Sequence, residues 1–109
     1  MTAAKQPPLL PEIDSFLHEL VRLRLLAFLS VLKRADFVYL QRHTGLSGGN
    51  LSAQMTKLAD AGLVEIEKSF VDNRPRTVYA LTAGGRAALA AYKAAMTNLL
   101  ETIPGWSPE

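Results

Sequence analysis

Between Asp36 and Leu81 the chain changes periodicity in an order that few folds accommodate. Asp36–His43 is a short helical segment that opens on Asp36, a side chain suited to accept from free N–H groups at a helix start. Thr44-Gly45-Leu46 follows as a turn, and Gly45 is free to take the left-handed conformation that ends a helix. Ser47 caps a second segment that runs to about Ala61 and is closed by Gly62. Its apolar residues Leu51, Met55 and Leu58 fall on one helical stripe. From Val64 onward alternation replaces that period, so Leu63–Phe70 reads as a strand. Val71–Pro75, with Asp-Asn and a proline, reads as the turn, and Arg76–Leu81 as the returning strand. Thr82 then caps a long final helix to about Ile103, where Pro104-Gly105 stops it.

Upstream, Glu12–Glu19 reads as a short helix with acidic residues at its start. Leu20–Arg34 is a second helix, apolar nearly all round, which points to burial against a second subunit as well as a core. Three prolines make Met1–Pro11 a flexible arm, and Pro104–Glu109 reads as a tail. That leaves one domain, residues 12–103, which is the most a chain of 109 residues builds around one core.

Composition removes several classes of function. With no cysteine there is no disulfide scaffold, thiol nucleophile or thiolate metal site, and two histidines leave little for other metals. No metal and no cofactor are expected. The longest apolar run, Leu25–Leu32, is broken by Ser30 and is far shorter than the roughly 20 residues a bilayer requires. The first dozen residues lack the apolar core of a secretory signal, so a cytoplasmic protein without membrane contact is expected. No paired acid and base, activated nucleophile or phosphate loop is present, and the chain is not expected to be an enzyme.

Two short helices joined by a glycine turn, then a hairpin, then a long helix, describe a mainly α (α+β) fold: a helix-turn-helix with a β-hairpin wing and a C-terminal helix. Three segments resemble small stand-alone winged-helix regulators related to the MarR and ArsR groups. They are Thr44–Ser52, Lys57–Val64 and Arg74–Arg86, within a likeness that covers roughly residues 20–100. The resemblance implies sequence-specific binding of double-stranded DNA by a homodimer, usually in repression. Gly48 and Gly49 depart from a strong helix start, since paired glycines cost up to ~1 kcal/mol each, but they let the helix N-terminus approach a phosphate closely.

With Leu51, Met55 and Leu58 inward, Gly49, Asn50, Ala53, Thr56, Lys57 and Asp60 point outward, with Ser52 and Gln54 on the flanks. Asn50 and Gln54 are the candidates for reading bases, because carboxamides pair with adenine edges. Ser47, Gly49, Ser52, Ala53 and Lys57 complete the helix contacts, with Lys57 placed for a phosphate. On the wing, Lys68, Asn73, Arg74 and Arg76 are candidates, since arginine suits the negative potential of a narrow minor groove. Arg42 and His43 are candidates for the DNA backbone. Net charge is only +2, yet the cations concentrate on these elements while Glu12, Asp14 and Glu19 gather upstream.

Leu89, Tyr92, Met96, Leu99 and Ile103 form a two-heptad seam, and with Leu25, Phe28 and Leu29 they are the expected dimer contacts. Any small-molecule effector would lie between these two helices. The alternative reading is a winged-helix module for protein–protein contact, since the same hairpin and helix can face a protein.

Overall fold

The computed structural model describes residues 11–106. Most of the expected arm (residues 1–10) and the last three residues of the expected tail lie outside that range. The described chain runs α1 (Leu20–Leu32), β1 (Arg34–Asp36), α2 (Phe37–Thr44), α3 (Gly48–Asp60), β2 (Val64–Val71), β3 (Arg74–Leu81), α4 (Ala83–Leu100). The strands form one antiparallel sheet in the order β1-β3-β2. This is a winged helix, mainly α with a β-hairpin wing.

The expected helix at Glu12–Glu19 is a single turn instead. The Asp14 carboxylate accepts from the N–H groups of Phe16 and Leu17 at 2.9 and 3.3 Å, and Leu17 plugs into the core. The Asp14 side chain closes a local turn in place of a continuing helix. The chain turns extended at Glu19, whose carboxylate caps α1 by accepting from the Arg22 N–H at 2.9 Å. That N–H bond, aided by the charges of Arg22 and Lys57, holds the Glu19 carboxyl below the usual carboxylate range.

The second helix also ends earlier than expected. Lys33 adopts φ 71° and breaks it, so Arg34–Asp36 pairs with Val78–Ala80 as a short strand. Asp36 closes that strand and caps α2, accepting from the Tyr39 N–H at 2.7 Å. Gly45 takes the left-handed conformation after α2, and the Ser47 hydroxyl accepts from the Asn50 N–H at 3.1 Å to start α3.

The hairpin turn is shorter than Val71–Pro75. Asp72 and Asn73, at φ 53° and 63°, make a two-residue turn, and Val71 pairs with Arg74. Pro75 therefore belongs to β3, opposite Phe70. It lies beyond the end of β1, where a missing N–H orphans no neighbour on that side.

Thr82 caps α4 by accepting from the Gly85 N–H at 2.8 Å, and its hydroxyl donates to the Gly62 carbonyl at 2.7 Å. The core gathers Leu25, Leu26 and Leu29 of α1, Leu51, Met55 and Leu58 of α3, and Tyr79 and Leu81 of the sheet. Burial of each such leucine contributes roughly 1.5–3 kcal/mol.

Candidate nucleic-acid interface

The core fixes how α3 is rotated. Leu51, Met55 and Leu58 are fully buried, so Gly49, Asn50, Ser52, Ala53, Thr56 and Lys57 are exposed. An added Cβ at Gly49 would meet nothing within 4 Å, so the first turn presents bare backbone to whatever lies beyond it. The exposed strip from Ser47 to Lys57 has the size and chemistry to enter a major groove.

Gln54 departs from that strip. It is half-buried on the flank facing α1, where its amide oxygen accepts from the Arg22 guanidinium at 3.2 Å. Arg22 also donates from Nε to the Phe16 carbonyl at 2.9 Å, and its guanidinium carbon lies 4.4 Å from the centre of the Phe16 ring. With one lone pair of its oxygen held by Arg22, Gln54 is tethered toward α1, and a two-bond pairing with the major-groove edge of an adenine requires that contact to be shared or released. Arg22 went unnoticed in the sequence because its partner is 32 residues away.

The wing candidates divide between two faces. Side chains alternate along β2, and the register places Ile66 against Tyr79, Lys68 against Thr77 and Phe70 against Pro75 on the face toward α3. Lys68 lines a cleft there with Ser52 and Thr56 of α3. The opposite face carries Glu65, Glu67, Arg74 and Arg76. Arg76 Nε lies 3.5 Å from an Asp36 carboxylate oxygen, and Arg34 pairs with Glu67 at 2.6 Å. Arg76 sits opposite Ser69, two residues in from Arg74 and beside the Asp36 carboxylate, while Asn73 and Arg74 are exposed at the turn. Expected together, Lys68 and Arg76 are separated by strand parity.

Arg42 and His43 are exposed at the end of α2. The His43 ring stacks on Tyr39 with centroids 4.1 Å apart, and Nδ1 lies 3.0 Å from the Tyr39 carbonyl oxygen.

The expected dimer residues sort less favourably. Leu25 and Leu29 have no exposed surface and belong to the chain's own core, so they cannot touch a second chain. Tyr92 is also buried, its hydroxyl 2.8 Å from His18 Nδ1, and Phe28 is half-buried against Tyr39. Leu89 and Met96 line a groove of about 550 Å3 between α1 and α4, with Leu23 and Ala27 opposite. Leu99 is half-buried, and Ile103 is exposed beyond the end of α4. The apolar surface that α1 leaves uncovered is Leu20 and Val31, 67% and 77% exposed.

Among the described residues no helix is long and apolar enough to cross a membrane, and no cluster of three metal-ligating side chains occurs.

A family model described as a winged helix DNA-binding domain matches residues 21–100. The chain belongs to this family. An uncharacterised protein of Methanocaldococcus jannaschii is 34% identical over 86 residues, covering 79% of this chain and 94% of that protein. Among solved structures, a transcriptional regulator homologue from Pyrococcus horikoshii is similar with a TM-score of 0.78 at 28% identity, over 84% of this chain and 90% of that one. A PadR family transcriptional regulator from Eggerthella lenta has a TM-score of 0.63 at 25% identity, over 81% and 85%. A mutant MarR from E. coli complexed with operator DNA shares the fold alone, with a TM-score of 0.57 at 20% identity, over 75% and 61%. This winged-helix chain is a DNA-binding transcriptional regulator, and its family and fold are not those of enzymes. The expected likeness to MarR-type regulators holds.

Proposed function

We propose that this regulator is a homodimeric repressor that reads an inverted-repeat operator in double-stranded DNA. The observation that carries the reading is the exposed strip of α3, Gly49, Asn50, Ala53 and Lys57, beside the cleft where Lys68 meets Ser52 and Thr56. Asn50 has the free carboxamide for a base edge, and Ser47, Lys57 and Lys68 supply phosphate contacts that position it. Arg42 and His43, exposed at the end of α2, add contacts for the DNA backbone, and Arg74, on the other face of the wing, meets DNA at the turn itself. Dimerisation uses the outer face of α1, Leu20, Ala27 and Val31, together with Leu89 and Met96 of α4, in place of Leu25 and Leu29. A two-fold pair of such units sets two recognition helices about one DNA turn apart, near 34–36 Å.

The test is selection of bound duplexes from a random pool at ~0.15 M salt, where specific and non-specific binding separate. Enrichment of an inverted repeat with half-sites about ten base pairs apart is expected. A single enriched half-site would remove the symmetric dimer. No enrichment would remove sequence reading and leave a protein partner as the better account.

A further inference from the structure

We infer that Phe70 is a wedge: the wing carries it into the minor groove beside the α3 site, where it enters between two base pairs and kinks the duplex. The inference rests on the DNA-reading surface assigned above and adds a residue that the cations alone do not supply.

Phe70 is 75% exposed at the end of β2 and packs against no part of the core. Its position is set by strand parity. Val64, Ile66, Lys68 and Phe70 share one face, which runs outward from the core, past the cleft with Ser52 and Thr56, to the tip. Phe70 therefore projects on the side of the recognition helix, one pleat or about 7 Å beyond Lys68. The other face of the hairpin mixes Glu65 and Glu67 with Arg74 and Arg76, and Glu67 and Arg76 are already paired with Arg34 and Asp36, so it offers a polyanion no net positive patch like the one around Lys68. DNA that meets α3 also meets the face that carries Lys68 and Phe70.

The chemistry at the tip fits insertion. A lysine placed for phosphates is followed by a bare aromatic ring, a pair that favours crossing a sugar-phosphate strand to reach base faces. The support is stiff, since Phe70 is paired with Pro75 and followed within two residues by a two-residue turn at Asp72-Asn73. Little is left to order on binding. A major groove holding α3 leaves the adjacent hairpin over the neighbouring minor groove, where apolar side chains can unstack base steps and bend the helix. Pyrimidine–purine steps open most readily, so the wedge would add a preference for one of them at the flank of each half-site.

The test measures bending of a selected duplex by energy transfer between its labelled ends, for the wild type, Phe70→Ser and Phe70→Leu. The wild type is expected to kink the duplex by an angle in the range of about 20–90°. Phe70→Ser should lose the kink and about tenfold in affinity, and regain the affinity on a duplex with a mismatch at the flanking step, which is already unstacked. Phe70→Leu should keep much of the bend, and melting should be unchanged in both variants. An unchanged bend and affinity in Phe70→Ser would overturn the wedge. A wild type that selects an operator without bending it would overturn the wedge alone, whereas failure to select any duplex would overturn the reading beneath it as well. A change of oligomeric state in Phe70→Ser with bending intact would assign the ring to contact with a second copy and overturn the wedge too.

Discussion

Arg22 of α1 donates to the Gln54 amide oxygen of α3 across 3.2 Å, so the base of the protein holds the recognition helix by one of its own polar side chains. The guanidinium is itself fixed by the Phe16 carbonyl and ring, and its side chain is only 14% exposed. A carboxamide held in this way orients α3 and keeps its two N–H bonds and one oxygen lone pair for other partners.

Loss of this contact should register first in stability. Arg22→Ala is expected to cost about 2 kcal/mol, because it removes hydrogen bonds from a charged donor and the contact with the Phe16 ring. Gln54→Ala should cost about 1 kcal/mol, and the double variant about 0.5–1 kcal/mol less than the sum. Chemical denaturation of the four proteins gives the coupling. Strict additivity would mean that the two side chains do not support each other in solution.

Asn50 and Gly49 should separate reading from approach. Asn50→Ala is expected to lose about 1–3 kcal/mol on the operator and to relax one base pair, with little change on scrambled DNA. Gly49→Ala has open space for its methyl group and should raise stability by about 0.5 kcal/mol. The same methyl group keeps the helix N-terminus away from a phosphate, so affinity should fall as the melting temperature rises. A more stable variant with unaltered affinity would place that first turn away from the DNA backbone.

The two faces of the wing lead to different salt dependences. Lys68→Ala should lower the slope of log affinity against log salt by about one charge. Arg76, on the face away from α3 and 3.5 Å from the Asp36 carboxylate, should leave the slope unchanged when replaced by alanine. A drop of about one for Arg76→Ala would bring the opposite face of the hairpin onto the DNA.

What was legible in the sequence is what depends on neighbours along the chain. Asp36, Ser47 and Thr82 cap helices because each side chain satisfies an N–H three residues on, and Gly45 ends α2 because the next backbone step is left-handed. Distant partners left no such trace. The Arg22–Gln54 contact spans 32 residues, and β1 is three residues that become a strand only because β3 is beside them. A helix apolar all round hides which face turns inward, so its sequence does not show that Leu25 and Leu29 are buried while Leu20 and Val31 are exposed. Strand parity is present in the sequence, but it assigns faces only when the turn is placed to the residue, and a turn at Val71–Pro75 leaves Phe70 and Arg74 without partners. Once the turn is Asp72-Asn73, alternation alone separates Lys68 from Arg74 and Arg76 and puts Phe70 with Lys68.

Gly85 locks the start of α4 against Leu63, the residue that leads into β2. A methyl group there would collide with the Leu63 carbonyl oxygen and come within 2.8 Å of a Leu81 methyl carbon. Backbone cannot yield as a side-chain tip does, so Gly85→Ala should cost about 3 kcal/mol or more. Gly48→Ala, whose methyl group would make ordinary 3.5 Å contacts with Phe37 and Gln41, is the tolerated comparison. Equal melting temperatures for the two would show that the junction of Leu63 and α4 can move apart.

The oligomeric state should answer to the outer face of α1. Val31 is 77% exposed within one chain, so Val31→Glu leaves the fold intact while placing a carboxylate where the proposed partner helix packs. Sedimentation should show the dimer weakened by at least tenfold, about 1.4 kcal/mol, with the circular dichroism spectrum and single-half-site binding retained. Operator affinity should fall further than half-site affinity, because a monomer loses the gain from engaging two sites at once. Leu25→Glu is no substitute for this experiment, since a charge in the core would unfold the chain before it revealed anything about assembly. A Val31→Glu protein that stays dimeric would move the interface off α1, to α4 or the wing, and the spacing of the two half-sites would then follow from a different two-fold axis.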